Sequence, residues 1–440
     1  MKMFGTDGIR DFPYKNFLKK EALIKIGYSF SFFLKRNYKN TKNIFIAQDT
    51  RKSSNYIARN LIKGINLGGL NTIMLGVLPT SSLSIFIDKY PYSSGIMITA
   101  SHNDHSYNGL KFFNESGEKI STHDEEQIEK AFNMKVRLSK AKATNLKYEN
   151  ADKEYINEII KRFKGLKLRE FNIGIDLANG SSYKVTKKIL RAFGVGFKAI
   201  SDKPNGLNIN KNCGVENLNR ISKFVVKKKL DFGIAIDGDA DRIVIIGNKG
   251  EIIHGDKIMS YIASNRLKAK SSFVTTIMGN TALDSELSKK HIKVIRTDVG
   301  DKNVYYKMKE INSNFGGENS GHYIFRNLLH TSDSNLSLLY ILGLLTERKS
   351  KINTISKITL NPSVLKSFII HKKRPINKIK EIQNFITDFN YKFHSNSYLN
   401  IRYSGTENKI RILIQDTSLK RINAQIKIFK GIIEDLNDKA

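Results

Sequence analysis

The 440-residue chain is expected to fold as α/β: three similar α/β domains with mixed sheets, then a C-terminal α+β domain, around one central cleft. Three observations lead there. Short apolar strands alternate with amphipathic helices along most of the chain. The pattern then changes to a compact strand–helix–strand–strand–helix unit. Polar loops also recur directly after strand-like segments, at least one per predicted domain. At about 150 residues per domain, the length itself asks for three or four cores.

The elements follow in order. The first series holds NIFIA (Asn43–Ala47), a helix near Ser54–Ile65, TIMLGV (Thr72–Val77) and GIMITA (Gly95–Ala100). The second runs from FNIGIDLANG (Phe171–Gly180) to DFGIAIDGDADR (Asp231–Arg242), and the third holds SFVTTIM (Ser272–Met278), IKVIRTDVG (Ile292–Gly300) and a helix from Lys302. Continuous apolar strands between helices imply sheets covered on both faces, with much parallel pairing. The last unit holds SVLKSFII, a helix near Asn377–Phe389, SYLNIRYSGTE, KIRILIQ and a helix near Lys420–Leu436; the polar stretch HKKRPINK (His371–Lys378) lies inside it. The expected domains are 1–148, 149–250, 251–357 and 358–440.

Composition narrows the function. The formal charge is +33, but the lysines are scattered among Asn and Ile and form no stripe. The tightest basic run, VVKKKL (Val225–Leu230), reads as the solvated end of a helix. Nucleic acid is therefore set aside, and the positive field suits a small anionic substrate. Cys213 is the only cysteine, so an intrachain disulfide is excluded and a reducing cytosol fits. The opening MKMFGTDGIRD has no apolar segment of signal length, and the most apolar helix, near Leu336–Leu345, is too short to span a bilayer. A cytoplasmic protein with no membrane partner is expected.

In open α/β sheets, ligands bind beyond the carboxyl ends of strands. Four polar loops stand there: TASHN, DGDADR, GGENSGH and RYSGTENKIR; a fifth, FGTDGIRD, opens the chain. In DGDADR the carboxylates of Asp237, Asp239 and Asp241 alternate, and on an extended segment they would share one face. Nothing else in so apolar a setting is expected to compensate them, so a hard cation such as Mg²⁺ is. An EF-hand is excluded: its sixth position needs Gly and is Arg242, and its twelfth needs Glu and is Asn248. Ser101 has no GxSxG around it, and His102 would point elsewhere on an extended backbone, so a hydrolase triad is not supported. Beside a carboxylate–cation site, Ser101 points to phosphoryl chemistry. In RYSGTENKIR, Gly405 lets backbone N–H groups approach a ligand, Ser404 and Thr406 offer hydroxyls, and Arg402 and Arg411 can fork onto phosphate oxygens. Glu318, Asn319 and Ser320 form a donor–acceptor set for sugar hydroxyls. GVGFKA (Gly194–Ala199) leaves a helix and enters a strand, the wrong order for a dinucleotide loop, and no Walker A sequence occurs.

FGTDGIR, TASHN, NGLKFF, DGDADR, GGENSGH and RYSGTE, in this order from residue 4 to residue 407, resemble the α-D-phosphohexomutase superfamily over essentially the full chain. FGTDGIRD, LNINKNCG (Leu207–Gly214) and GGENSGH are most similar to its branch acting on glucosamine phosphates. The resemblance implies that Ser101 is a phosphoserine, the nucleophile and donor. Its phosphate, with Asp237, Asp239 and Asp241, would hold one Mg²⁺ per chain. Arg10, Lys111, Arg242 and His322 would line the reaction centre. Glu318, Asn319 and Ser320 would bind the sugar, and Arg402, Ser404, Gly405, Thr406 and Arg411 the phosphate that does not react. A hexose 1,6-bisphosphate would be intermediate and activator, and the product would feed nucleotide-sugar and cell-wall precursor synthesis. The partner would be a small sugar phosphate, and the chain a monomer or homodimer. The same resemblance leaves a glucose or mannose phosphate, or a non-catalytic sugar-phosphate binder, as alternatives. Four departures stand out: Asp104 and Tyr403 and Asn408 where Pro is usual, and Tyr107 where Asp is; TSDS (Thr331–Ser334) also replaces TGDG. Lost prolines loosen loops by roughly 0.4–1 kcal/mol each through the unfolded chain.

Overall fold

The computed structural model describes residues 3–134, 143–393, 397–404 and 408–438, with the backbone alone at 356–357. Four sheets follow one another along the chain. The first has strand order Ile9–Asp11, Asn108–Phe113, Ser93–Ile98, Asn43–Gln48, Asn71–Val77 and Asn145–Lys147. Its last four strands pair in parallel; Asn108–Phe113 and Ile9–Asp11 add antiparallel to one edge. The second is ordered Ile252–Ile253, Ile243–Ile246, Phe232–Ile236, Asn172–Asp176 and Gly196–Ile200, with the first two strands antiparallel. The third places Lys293–Thr297, Ser272–Thr276, Phe315–Gly317 and Tyr323–Phe325 side by side. The mixed sheets expected from the sequence are thus present in all three. The fourth, Ser363–Ile369, Lys409–Gln415 and Tyr398–Tyr403, is wholly antiparallel.

The parallel strands are apolar because helices cover both faces. Phe232–Ile236 is buried at every position, and Ile96, Met97 and Ile98 are all closed off from solvent. One cluster of buried side chains runs from Phe45 and Phe86, through Ile175 and Ile234, to Phe273 and Leu339. The first three units therefore share a continuous core. The terminal unit has a core of its own, built on Ile382, Phe389, Ile412 and Phe429. Helix starts carry local signals: at Thr122–Phe132 the Ser121 hydroxyl accepts from the Asp124 N–H while the Asp124 side chain accepts from Ser121 N–H. Such a capping box contributes about 1 kcal/mol.

The chain between Asp237 and Arg242 is not extended. It is a tight turn with Ala240 at φ 61°, and the Ala240 N–H donates to the Asp237 carbonyl. The backbone at Ser101 is not extended either, with φ 50°. Among the described residues, no helix is long and apolar enough to cross a membrane.

Candidate active site

Ser101 follows the strand Ser93–Ile98, Asp237 follows Phe232–Ile236, Glu318 follows Phe315–Gly317, and Ser404 follows Tyr398–Tyr403. The site lies where the ends of the first three sheets meet.

Ser101 is completely buried, and its hydroxyl donates to Asp237 Oδ2 at 2.7 Å. Its left-handed backbone brings the hydroxyl within 3.4 Å of His102 Nδ1, against the expectation that His102 points elsewhere. Burial, then Arg242 and Arg10, push the His102 imidazole down to about 3, so this ring is neutral. The serine loop is held by groups the sequence reading passed over. The buried Arg51 guanidinium donates to the carbonyls of Ser101 (3.1 Å), Asn103 (2.7 Å) and Tyr107 (2.9 Å), and to that of Asp104. Arg51 Nε is paired with Asp49 Oδ2 at 2.8 Å, and Asp49 also accepts from the Thr99 hydroxyl at 2.7 Å. That hydroxyl in turn accepts from the Ser101 N–H at 2.9 Å. From the second unit, the Asn210 side-chain amide donates to the carbonyls of Ser101 and Asn103, both at 2.8 Å. The signal was available: QDTR, Gln48–Arg51, leaves the strand Asn43–Gln48 on the same side as the other loops.

The acidic turn abuts this loop. A Cβ on Gly238 would lie 2.6 Å from the Ser101 carbonyl, so only glycine permits the approach. Oxygens of Asp237, Asp239 and Asp241 lie within 4.8 Å of one another, and all three side chains are buried. Curling rather than extension brings them together: Asp237 Oδ1 accepts the N–H groups of Asp241 (3.2 Å) and Arg242 (3.1 Å). The expectation that nothing else compensates these charges is corrected. The buried Lys111 ammonium lies 2.8 Å from Asp239 Oδ2, 2.7 Å from Asp241 Oδ2 and 2.8 Å from Asp7 Oδ2. Burial alone would lower the Lys111 ammonium, yet Asp239, Asp241 and Asp7 hold it well above its usual range.

The compensation is uneven. Burial would raise the Asp241 carboxyl, but Lys111 and His322 hold it well below the carboxylate range. Asp237 is pushed well above that range, by burial and then by Asp239 and Asp241. Asp239 Oδ1 is buried without a hydrogen-bond partner, while Oδ2 accepts from the Thr80 hydroxyl at 2.6 Å. An orphaned carboxylate oxygen and an over-stabilised proton on the next carboxyl are what a site for a divalent cation leaves exposed. The triplet fits such an ion.

His322 packs between Glu318 Oε2, 2.9 Å from Nδ1, and Asp241 Oδ1, 3.1 Å from Nε2. Burial would lower it, but Asp241 most of all raises it to about 10, and the doubly protonated ring donates to both carboxylates. The 3.2 Å approach of Arg242 Nε to His322 Nε2 is then a like-charge contact, not a hydrogen bond. Glu318 also accepts from the Gly300 N–H at 3.0 Å. Asn319 donates to the Met278 carbonyl at 3.2 Å, and the Ser320 hydroxyl lies 3.4 Å from His322 Nδ1. Arg10 Nη1 donates to Asn103 Oδ1 at 2.9 Å. Asp7, Lys119 and Asp301 extend the ionic cluster: Lys119 lies 2.9 Å from Asp7 and 2.7 Å from Asp301. The sequence reading did not single them out.

Ser101, Lys111, Arg242, His322, Glu318 and the acidic triplet are thus brought together, with Arg10 joined through Asn103. The terminal group is assembled separately. Arg402 and Arg411 face each other in register on adjacent strands, and Arg411 Nη2 donates to Ser404 Oγ at 3.3 Å. Burial and then Arg411 depress the Arg402 guanidinium, which an anion between them would relieve. Gly405 and Thr406 lie outside the described residues.

Comparison with known proteins agrees with this layout. Family models described as phosphoglucomutase/phosphomannomutase alpha/beta/alpha domains I, II and III match residues 1–137, 153–250 and 254–361. The phosphoglucosamine mutase of Aliarcobacter butzleri is 35% identical over 436 residues, covering 96% of this chain and 97% of that protein. That of Campylobacter hominis is 35% identical over 440 residues, covering 97% of each. Among solved structures, a phosphoglucomutase/phosphomannomutase family protein from Burkholderia thailandensis superposes with TM-score 0.85 at 19% identity, covering 99% of this chain and 97% of that one. An Aspergillus fumigatus N-acetylphosphoglucosamine mutase, solved with GlcNAc-6P and magnesium, gives 0.68 at 16% identity, covering 99% and 96%. At these identities the solved structures speak for the fold.

Proposed function

The chain belongs to the phosphoglucomutase/phosphomannomutase family, and on that premise we propose that it interconverts glucosamine 6-phosphate and glucosamine 1-phosphate through a phosphoserine at Ser101. It is an enzyme of the phosphohexomutase type, an isomerase. The observation that carries the residue assignment is the buried Ser101 hydroxyl, 2.7 Å from a carboxylate of a triplet that suits a divalent cation. The fourfold division at 148/149, 250/251 and 357/358 belongs to the same proposal, with the second sheet's last strand, Ile252–Ile253, just past its limit.

In the forward direction the bond between Ser101 Oγ and phosphorus breaks as phosphorus bonds to the sugar's C1 oxygen, and the C1 hydroxyl's proton ends on Ser101 Oγ. The 1,6-bisphosphate so formed turns over; its 6-phosphoryl group returns to Ser101 Oγ, whose proton ends on the sugar's O6, leaving the 1-phosphate. Phosphoryl transfer is mostly positioning and charge neutralisation. Arg51 and Asn210 fix the serine backbone. One Mg²⁺, held by Asp237, Asp239, Asp241 and the Ser101 phosphate, would neutralise the equatorial oxygens. Lys111, Arg242 and protonated His322 add fixed positive charge at the same place, and Arg10 orients the loop through Asn103. Glu318, Asn319 and Ser320 offer partners to sugar hydroxyls. Arg402, Ser404 and Arg411, with Gly405 and Thr406, hold the phosphate that is not reacting.

Coupled assays with glucosamine, glucose and mannose 6-phosphates test the reading. Glucosamine 6-phosphate is expected to give the highest kcat/KM; faster use of either other sugar would reassign the substrate.

A further inference from the structure

The segment HKKRPINK, His371–Lys378, carries no assigned role, yet it folds back onto the end of the strand Tyr398–Tyr403. Tyr403 makes the attachment. Its hydroxyl donates to the Arg374 carbonyl at 2.7 Å and accepts from the Arg374 N–H at 3.3 Å. A proline at 403, as the resemblance led us to expect, can make neither bond. The clasp sets Lys373 over the Tyr403 ring, with Nζ 5.7 Å from the ring centre. From there Nζ donates to the Ser404 carbonyl at 3.1 Å. Ser404 is therefore met from two sides, by Lys373 on its carbonyl and by Arg411 on its hydroxyl. Arg402 stands across from Arg411 in register.

A lysine capping a strand-end carbonyl uses one of its three donors. Among the described residues the others have no hydrogen-bond partner, and they stand near a buried serine and two arginines that already repel each other. Three cations converge on that corner, an arrangement that an anion completes. We propose that Lys373, held in place by the Tyr403–Arg374 clasp, is a further phosphate-binding residue. It grips the non-reacting phosphate monoester of the substrate together with Arg402, Ser404 and Arg411. The assignment rests on the reading that this corner holds that phosphate.

Steady-state kinetics on Lys373→Ala, Lys373→Arg and Tyr403→Phe, with the 6-phosphate sugar as varied substrate, read the proposal. Lys373→Ala is expected to raise KM about tenfold while kcat stays within about twofold. Lys373→Arg is expected to recover most of that loss. Tyr403→Phe, which keeps the ring and loses the clasp, is expected to raise KM about threefold. An unchanged KM in Lys373→Ala overturns the proposal, as does a fall in kcat and thermal stability together, the mark of a carbonyl cap alone. Calorimetric titration of Ser101→Ala protein with glucosamine 6-phosphate separates this from the mutase reading, because it needs no turnover. Should the wild type convert no sugar phosphate, the mutase reading falls, and the titration still decides. Binding about tenfold weaker in the Lys373→Ala, Ser101→Ala double variant upholds the proposal, and equal binding overturns it.

Discussion

Ser101 and Ser404 each stand buried at the end of a strand, and among the described residues they are held differently. Around Ser101 the backbone is fixed from all sides: Arg51 and Asn210 bind its carbonyls, Thr99 binds its N–H, and Gly238 presses against it. Its unit shares a continuous apolar core with the next two. Around Ser404 the described contacts are a lysine, an arginine and a strand-end backbone bond to Lys409. Its unit has a separate core and leans on the third through a short seam, where Gln415 meets Thr281 and Asn361 meets Asn280. On the proposed function, the difference separates two jobs. Phosphoryl transfer needs atoms held still. A bisphosphate that must turn over needs its distal grip to let go and take hold again.

Four substitutions break or sharpen that contrast, and the largest effect is expected at the rigid end. Asp239→Asn should cut turnover by at least about a hundredfold. Asn keeps an acceptor for the Thr80 hydroxyl and relieves repulsion with Asp237; it gives up the pairing with buried Lys111, which Asp241 and Asp7 still hold, so thermal unfolding should move little. Turnover near wild type would break the metal assignment. Arg51→Ala strands the Asp49 carboxylate and the carbonyls of the serine loop, at a cost of about 3–5 kcal/mol in urea unfolding. A loss below about 1 kcal/mol would show that the loop is not held as described. At the Ser404 end, Arg402→Ala should raise KM about tenfold with little change in kcat. Equal damage to both parameters would erase the division of labour.

The smallest effect is a pH dependence in the seam. Asp256 is buried, and burial raises it to about 7. It accepts from the Asn280 N–H at 3.1 Å, beside the Asn280–Asn361 contacts. A carboxyl raised on folding favours the folded state below its unfolded pKa, near 4, and that advantage is lost as pH rises through about 7. Asp256→Asn keeps an acceptor and removes the charge. It should therefore raise stability in urea unfolding at pH 8 and leave it nearly unchanged at pH 4. Equal effects at both values would contradict the buried charge.

Much of this was legible in the sequence. Continuous apolar strands between amphipathic helices gave sheets covered on both faces with much parallel pairing, because such strands have nowhere to place polar side chains; the antiparallel strands at the sheet edges carry no such signal. DGDADR and TASHN announced themselves because closely spaced carboxylates and a hydroxyl at a strand end are hard to explain otherwise. The local conformation was not legible: both segments curl through left-handed residues, Ala240 and Ser101, where an extended chain was expected. Nor was Lys111 as counterion to the triplet, since its strand and the acidic turn lie far apart in sequence. Arg51 was overlooked although QDTR stood at a strand end, because four of its five partners are backbone carbonyls, which carry no residue signature. Tyr403 looked like a defect in a proline position; its hydroxyl clasp appears only once HKKRPINK has folded against it.

The proposed chemistry requires Ser101 to carry the phosphoryl group opposite the acidic triplet. Peptide mass mapping after incubation with glucose 1,6-bisphosphate tests it most directly. One phosphoryl group is expected on the peptide bearing Ser101, passed on when excess glucosamine 6-phosphate is added as acceptor and absent from Ser101→Ala. Label on another residue, or full turnover in a protein that never takes label at Ser101, would contradict it.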